Sequence, residues 1–216
     1  MSIIKIERKV LEKNDELASQ NRGDLKSRNI FCVNILSSPG SGKTSIIERT
    51  IEHLKDDVKI AVIEGDVQTD IDAKRVEKYK VPVIQIVTNG GCHLDAKLIR
   101  DAMANLNFSD INFLIIENVG NLVCPAGYDL GEDHKVVILS TTEGDDKPLK
   151  YPKMFMNSEV LIINKTDLLP YVNSSIETLK TNALNINPNL TIFETSCTTG
   201  EGIDKWCNWL INNINK

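Results

Sequence analysis

Short apolar runs rich in β-branched residues alternate along this chain with stretches in which apolar residues recur every three or four positions. The runs fall near 30–37, 59–64, 83–88, 112–117, 135–141, 159–164 and 190–195, and the helical spacing near 43–55, 70–79, 94–106, 174–186 and 203–214. Strands apolar on both faces, spaced by amphipathic helices, predict an α/β fold: a mainly parallel β-sheet flanked by helices on both faces, in three layers. Residues 1–29 are polar and form an N-terminal extension, with a helix expected near 7–20, so the organisation is 1–29 followed by one domain over 30–216.

The first run leads into Ser37-Ser38-Pro39-Gly40-Ser41-Gly42-Lys43-Thr44. Gly40 and Gly42 let the backbone curl so that its N–H groups, including that of Ser41, point at phosphate oxygens. The helix opening near Lys43 and running on through Ser45 adds its positive end. Lys43 is placed to reach the β- and γ-phosphates and Thr44 to hold Mg²⁺; the run is a P-loop except that Ser37 stands where glycine is expected. The fold class is then that of a P-loop NTPase. Near the other end of the domain, Val160-Leu161-Ile162-Ile163 ends in Asn164-Lys165-Thr166-Asp167, which resembles the guanine-specificity motif of GTPases. A carboxylate at Asp167 can accept both N1–H and the exocyclic amine of guanine, a donor pair adenine lacks. Lys165 can lay its stem along the base, and Asn164 can brace the loop. Ser196 and Cys197, after the last strand, resemble the third base-contacting loop.

Acidic residues at strand ends are candidates for Mg²⁺ and water handling, because ligands gather beyond the carboxyl ends of parallel strands. Asp66 closes Val62-Ile63-Glu64-Gly65-Asp66, and Glu117 opens Glu117-Asn118-Val119-Gly120, an acidic-x-x-Gly element like the γ-phosphate sensor of GTPases. The catalytic set expected from the sequence is Lys43, Thr44, Asp66 and Glu117.

Composition narrows the partners. A formal net charge of −5 without basic clusters beside aromatics argues against nucleic acid. No run is long enough for a membrane span, and the charged N-terminus does not read as a signal peptide, so a cytoplasmic protein is expected. Five cysteines, widely spaced, suit free thiols or metal ligands better than a disulfide framework. Cys32 and Cys207 fall on predicted core positions. Cys92-His93 and Cys124 follow strand ends and should emerge beside the P-loop, where two thiols and an imidazole suit Zn²⁺ or Ni²⁺ but leave the coordination shell incomplete. Water, or the same residues of a second chain, could complete it; His93 could instead cap the following helix.

These motifs occur in one order together with Glu-Gly-Asp at 64–66, Gly-Cys-His-Leu-Asp-Ala at 91–96, Glu-Asn-Val-Gly-Asn-Leu-Val-Cys-Pro at 117–125 and Glu-Gly-Asp-Asp-Lys-Pro-Leu-Lys-Tyr-Pro at 143–152. Over residues 30–212 the chain resembles the hydrogenase maturation factor HypB family, nickel-insertion GTPases of the SIMIBI class. The resemblance implies GTP hydrolysis with Mg²⁺, a homodimer favoured by GTP, and a nickel or zinc site of Cys92, His93 and Cys124 at the dimer interface. It also implies two partners, the nickel-binding maturation protein HypA and a hydrogenase large-subunit precursor. Nickel storage by an N-terminal cysteine- or histidine-rich tract is not expected, since the first cysteine is Cys32 and the histidines are His53, His93 and His134. Two alternatives are a nucleotide-gated nickel or zinc storage protein and the urease-type nickel GTPase, whose Cys-Pro-His motif is not matched by Cys124-Pro125-Ala126.

Overall fold

The computed structural model describes residues 6–68 and 70–216; the first five residues of the expected extension lie outside them. Seven strands form one sheet: β1 (Phe31–Ser37), β2 (Ile60–Asp66), β3 (Val83–Val87), β4 (Phe113–Glu117), β5 (His134–Ser140), β6 (Val160–Asn164) and β7 (Thr191–Glu194). The order is β3-β2-β4-β1-β5-β6-β7, and every pair is parallel. The expected three-layer fold is observed, with all carboxyl strand ends on one edge.

The helices are α1 (Ile6–Ser27), α2 (Lys43–Leu54), α3 (Ile71–Glu77), α4 (Ala96–Met103), α5 (Lys147–Lys150), α6 (Pro152–Met156), α7 (Ile176–Ile186) and α8 (Ile203–Ile214). Alternate strand residues serve opposite faces. Val33, Ile35, Val160 and Ile162 pack with Ile47, Ile51, Trp206 and Leu210 of α2 and α8. On the reverse face Cys32, Ile63 and Leu114 meet Leu25 of α1 and Ile99 of α4, while Leu161 and Ile163 meet Leu179 of α7. Cys32 and Cys207 are fully buried, as expected of core thiols.

Three helices differ most from the sequence reading. The helix expected at 7–20 runs to Ser27 because its asparagines are not solvent-facing: Asn14 Nδ2 donates to Asp129 O at 2.7 Å, and Asn21 Nδ2 to Leu130 O at 3.0 Å. The helix expected at 94–106 starts at Ala96, where Asp95 accepts from Leu98 N at 2.8 Å as N-cap. The helix expected at 70–79 spans only Ile71–Glu77, and Lys80 leaves it with φ 61°. In addition α5 and α6 fill the β5–β6 connection, which the apolar pattern left empty.

Candidate functional site: nucleotide cavity and thiol–imidazole cluster

The P-loop connects β1, in the middle of the sheet, to α2. Gly40 and Gly42 hold φ of 77° and 97°, a region closed to most side chains. A Cβ on Gly42 would also come within 2.5 Å of Asn164 Nδ2. Gly42 is the N-cap of α2 and supplies no side-chain cap, so the first N–H groups of the helix remain available to an anion. The loop borders a cavity of ≈ 510 Å³ that includes Gly40, Gly42, Lys43, Thr44, Ser45, Asp66, Glu117 and Lys165.

Within it, Lys43 Nζ donates to Ser37 Oγ at 3.0 Å and lies 3.9 Å from Glu117 Oε1. The serine that departs from the P-loop pattern therefore holds the lysine. Thr44 Oγ1 donates to Glu117 Oε1 at 2.9 Å. Asp66 closes β2 on the same rim, its Oδ1 accepting from Gln68 N at 2.9 Å.

A second carboxylate escaped the sequence reading. Glu64 is paired in register with Glu117 on the adjoining strand, and both are buried. Burial, then the charge and hydrogen bond of Glu117, push Glu64 up to about 10, so it carries a proton at neutral pH. Burial also raises Glu117, against the opposing pull of Lys43, Glu64 and Thr44. Glu64 Oε1 and Glu117 Oε2 are buried without a hydrogen-bond partner. The orphaned Glu117 oxygen beside the Thr44 hydroxyl is a donor set that fits a hard divalent cation. The available signal was a charge inside an apolar strand, two residues before its end. Arg75 of α3 was also missed; it borders the cavity and donates to Ser45 Oγ at 3.2 Å.

The base-side loops interlock with the phosphate loop. Asn164 Nδ2 donates to Ser41 O at 3.0 Å, and its Oδ1 accepts from Thr195 Oγ1 at 3.2 Å. Lys165, at φ 63°, reaches back so that Nζ donates to Gly40 O at 2.7 Å. Ser196 Oγ donates to Asp167 Oδ1 at 2.6 Å. Cys197 O accepts from Arg49 Nε at 2.8 Å, while burial pushes its thiol up to about 11.

The remaining candidates meet on loops after β3 and β4. The ligand atoms of Cys92, His93 and Cys124 all lie within 4.8 Å of one another. Cys92 Sγ is 3.6 Å from His93 Nδ1, and the neighbouring Cys124 thiol, ahead of burial, raises Cys92 above its ordinary value. His93 does not cap α4; its ring lies 4.0 Å from that of Tyr128, and burial lowers its proton affinity, which favours the ligating neutral imidazole. The sheet order places β2 between β3 and β4, so Cys92 and Cys124 come from strands that are not adjacent and the connecting loops lean together. Asn121 Nδ2 donates to Cys92 O at 3.3 Å and helps to hold them.

The family model described as "CobW/HypB/UreG, nucleotide-binding domain" matches residues 31–194. The hydrogenase maturation factor HypB of Escherichia coli (strain K12) is 51% identical over 96% of this chain and 72% of its own length. The crystal structure of HypB from Archaeoglobus fulgidus superposes with TM-score 0.89 at 41% identity, covering 94% of this chain and 100% of that one. HypB from Helicobacter pylori in complex with nickel gives TM-score 0.90 at 39% identity, over 94% and 95% of the two chains. A model match that spans all seven strands, joined to half-identity across nearly the whole chain, makes this protein a member of the CobW/HypB/UreG nucleotide-binding family, on its HypB hydrogenase-maturation branch.

Proposed function

We infer that the protein is a GTP-hydrolysing metallochaperone that supports nickel delivery to the [NiFe] hydrogenase active site. The observation that carries this is the chain segment 117–124, which leaves the nucleotide cavity at Glu117 and ends in the thiol–imidazole cluster at Cys124. The nickel-bound relative adds support.

Gly40, Ser41, Gly42 and the start of α2 cradle the phosphates, and Lys43 exchanges Ser37 for phosphate oxygens. Asp167 accepts the two guanine donors, oriented by Ser196, while Asn164 and Lys165 fix that loop to the P-loop. Thr44, Asp66 and Glu117 would hold Mg²⁺, which neutralises charge on the phosphates when bound. Glu64 stays protonated beside Glu117 and limits the negative charge of the cavity.

Cys92, His93 and Cys124 carry nickel as cargo, with zinc as the competing ion. Three ligands are one short of a closed tetrahedral shell. Donors from a second copy complete the shell in a dimer favoured by GTP; hydrolysis loosens it and frees the metal for HypA or the hydrogenase large-subunit precursor. The test is nickel transfer to a chelating acceptor, with GTP, with a non-hydrolysable analogue, and with neither. Transfer is expected to be fastest with GTP. Identical rates in all three arms would overturn the chaperone reading in favour of nucleotide-independent storage.

A further inference from the structure

Within the 117–124 segment, Asn118 belongs neither to the cavity lining nor to the thiol–imidazole cluster. Asn118 is 1% exposed. Its N–H donates to Ile35 O at 3.0 Å, which fixes the start of the segment on β1. Its Oδ1 accepts from Leu94 N at 3.1 Å and from Val119 N at 2.9 Å, and its Nδ2 donates to Asn34 Oδ1 at 3.3 Å.

Leu94 directly follows His93. Its side chain is fully buried against Gly65, where a Cβ would stand 2.7–2.9 Å from the leucine carbons. Gly65 lies between Glu64 and Asp66. The residue after His93 is thus gripped twice, by the amide that follows Glu117 and by the backbone that precedes Asp66. Beyond it the loop is tied to α1, which does not border the cavity: Ala96 N donates to Asn14 Oδ1 at 2.9 Å, and Asn21 Nδ2 to Ala96 O at 2.8 Å.

We propose that Asn118 is the positioning residue through which occupancy of the nucleotide cavity changes the metal affinity of Cys92 and His93. This rests on reading the cavity as a GTP site and the cluster as a nickel site. Val119 and Gly120 border the cavity, and a Cβ on Gly120 would meet Pro39 at 3.2 Å, so a nucleotide that shifts the P-loop shifts this segment. Leu94 N–H is buried with Asn118 as its acceptor. It must follow the amide or lose its partner, and an unmet buried donor is costly enough to bias two loop arrangements. His93 and Cys92 then move with Leu94, while Cys124 moves with the far end of the segment. The spacing of the three donor atoms changes, and with it the affinity.

Nickel titration of the full chain, with and without Mg²⁺ and a non-hydrolysable GTP analogue, reads the coupling as a ratio of two affinities. Wild type should give a ratio of at least about fivefold, the lower end for coupled sites. Asn118→Ala should bring it to within about twofold of one, with nucleotide-free nickel affinity within about threefold of wild type. Asn118→Asp, whose side-chain oxygen can still accept from Leu94 N, should restore it above about threefold. A purely structural lesion would weaken both affinities and leave the ratio alone. An unchanged ratio in Asn118→Ala overturns the proposal. If that variant does not fold, hydrogen exchange at the Leu94 amide of the wild type decides: protection must change when the analogue binds, and constant protection overturns the proposal. A wild-type ratio of one, visible before any variant is made, instead sinks the coupled-site reading on which the proposal stands.

Discussion

The nucleotide cavity and the thiol–imidazole cluster sit on the same edge of one sheet, yet they are built differently. In the nucleotide site several functional side chains have a stand-in partner from the protein itself: Ser37 for Lys43, Glu117 for Thr44, Ser196 for Asp167. Those side chains are held in place before any ligand arrives, as a preorganised site requires. The cluster has the opposite character. Cys92 is exposed, Cys124 half-buried, and the three donor atoms gather on loops from non-adjacent strands. A site that must keep its ligand invests in a rigid frame; one that must release its cargo does better with few, solvent-facing donors and an open shell.

The contrast can be broken at either end. Lys43→Ala removes the ammonium group 3.9 Å from Glu117, and hydrolysis should fall on the order of 10³-fold, as for loss of a transition-state donor, measured by phosphate release at saturating GTP. Nickel affinity without nucleotide should stay near wild type. Near wild-type turnover would remove Lys43 from the catalytic set. Cys124→Ala reverses the pattern. Outer partners of a metal ligand are worth about 10–100-fold, so loss of a ligand should cost at least about 100-fold in nickel affinity by competition with a chromophoric chelator. GTP affinity should be unaffected; unchanged nickel binding would make the thiol mere packing.

The smallest effect sharpens the comparison within the cavity. Glu64 has a folded-state value of about 10, above the ordinary 4.5, so its contribution to stability is complete below pH 4.5 and is lost as pH rises toward 10. Glu64→Gln removes that term. Over pH 6–8 the nucleotide-free variant should lose stability less steeply than wild type, by up to about 1.4 kcal/mol per pH unit for one proton. Denaturant melts at a series of pH values give the slopes; parallel curves would show that Glu64 is ionised in the folded protein.

What the sequence revealed follows from where its signals are local. The seven strands announce themselves because buried parallel strands are apolar on both faces, as in Leu161-Ile162-Ile163. The P-loop and the 164–167 motif are short, contiguous and backbone-driven, so their residues can be read in order. Glu64 was passed over because its significance lies in a cross-strand neighbour 53 positions away at Glu117, and register is not written in either strand. The reach of α1 beyond residue 20 was illegible for the same reason: the partners of Asn14 and Asn21 lie 75–115 positions on. The Cys92, His93 and Cys124 gathering was foreseen as chemistry, but its dependence on β2 lying between the two parent strands came only with the sheet order.

The anchoring of α1 also carries a consequence for biosynthesis. Asn14 and Arg22 bind Asp129, and Asn21 binds Leu130, at separations of 107–115 residues. At translation rates of about 5–20 residues per second, this helix leaves the ribosome on the order of 5–20 s before its partners exist. Its surface is correspondingly polar, with Glu12, Lys13, Asp15 and Glu16 in one turn, and this tolerates the wait in water. These contacts must then wait until residues 129–130, just ahead of β5, are made, so α1 acts as a late latch on the first half of the sheet. Contacts this distant in sequence raise contact order, and deleting the latch is expected to leave refolding of the central strands fast while removing its slowest step.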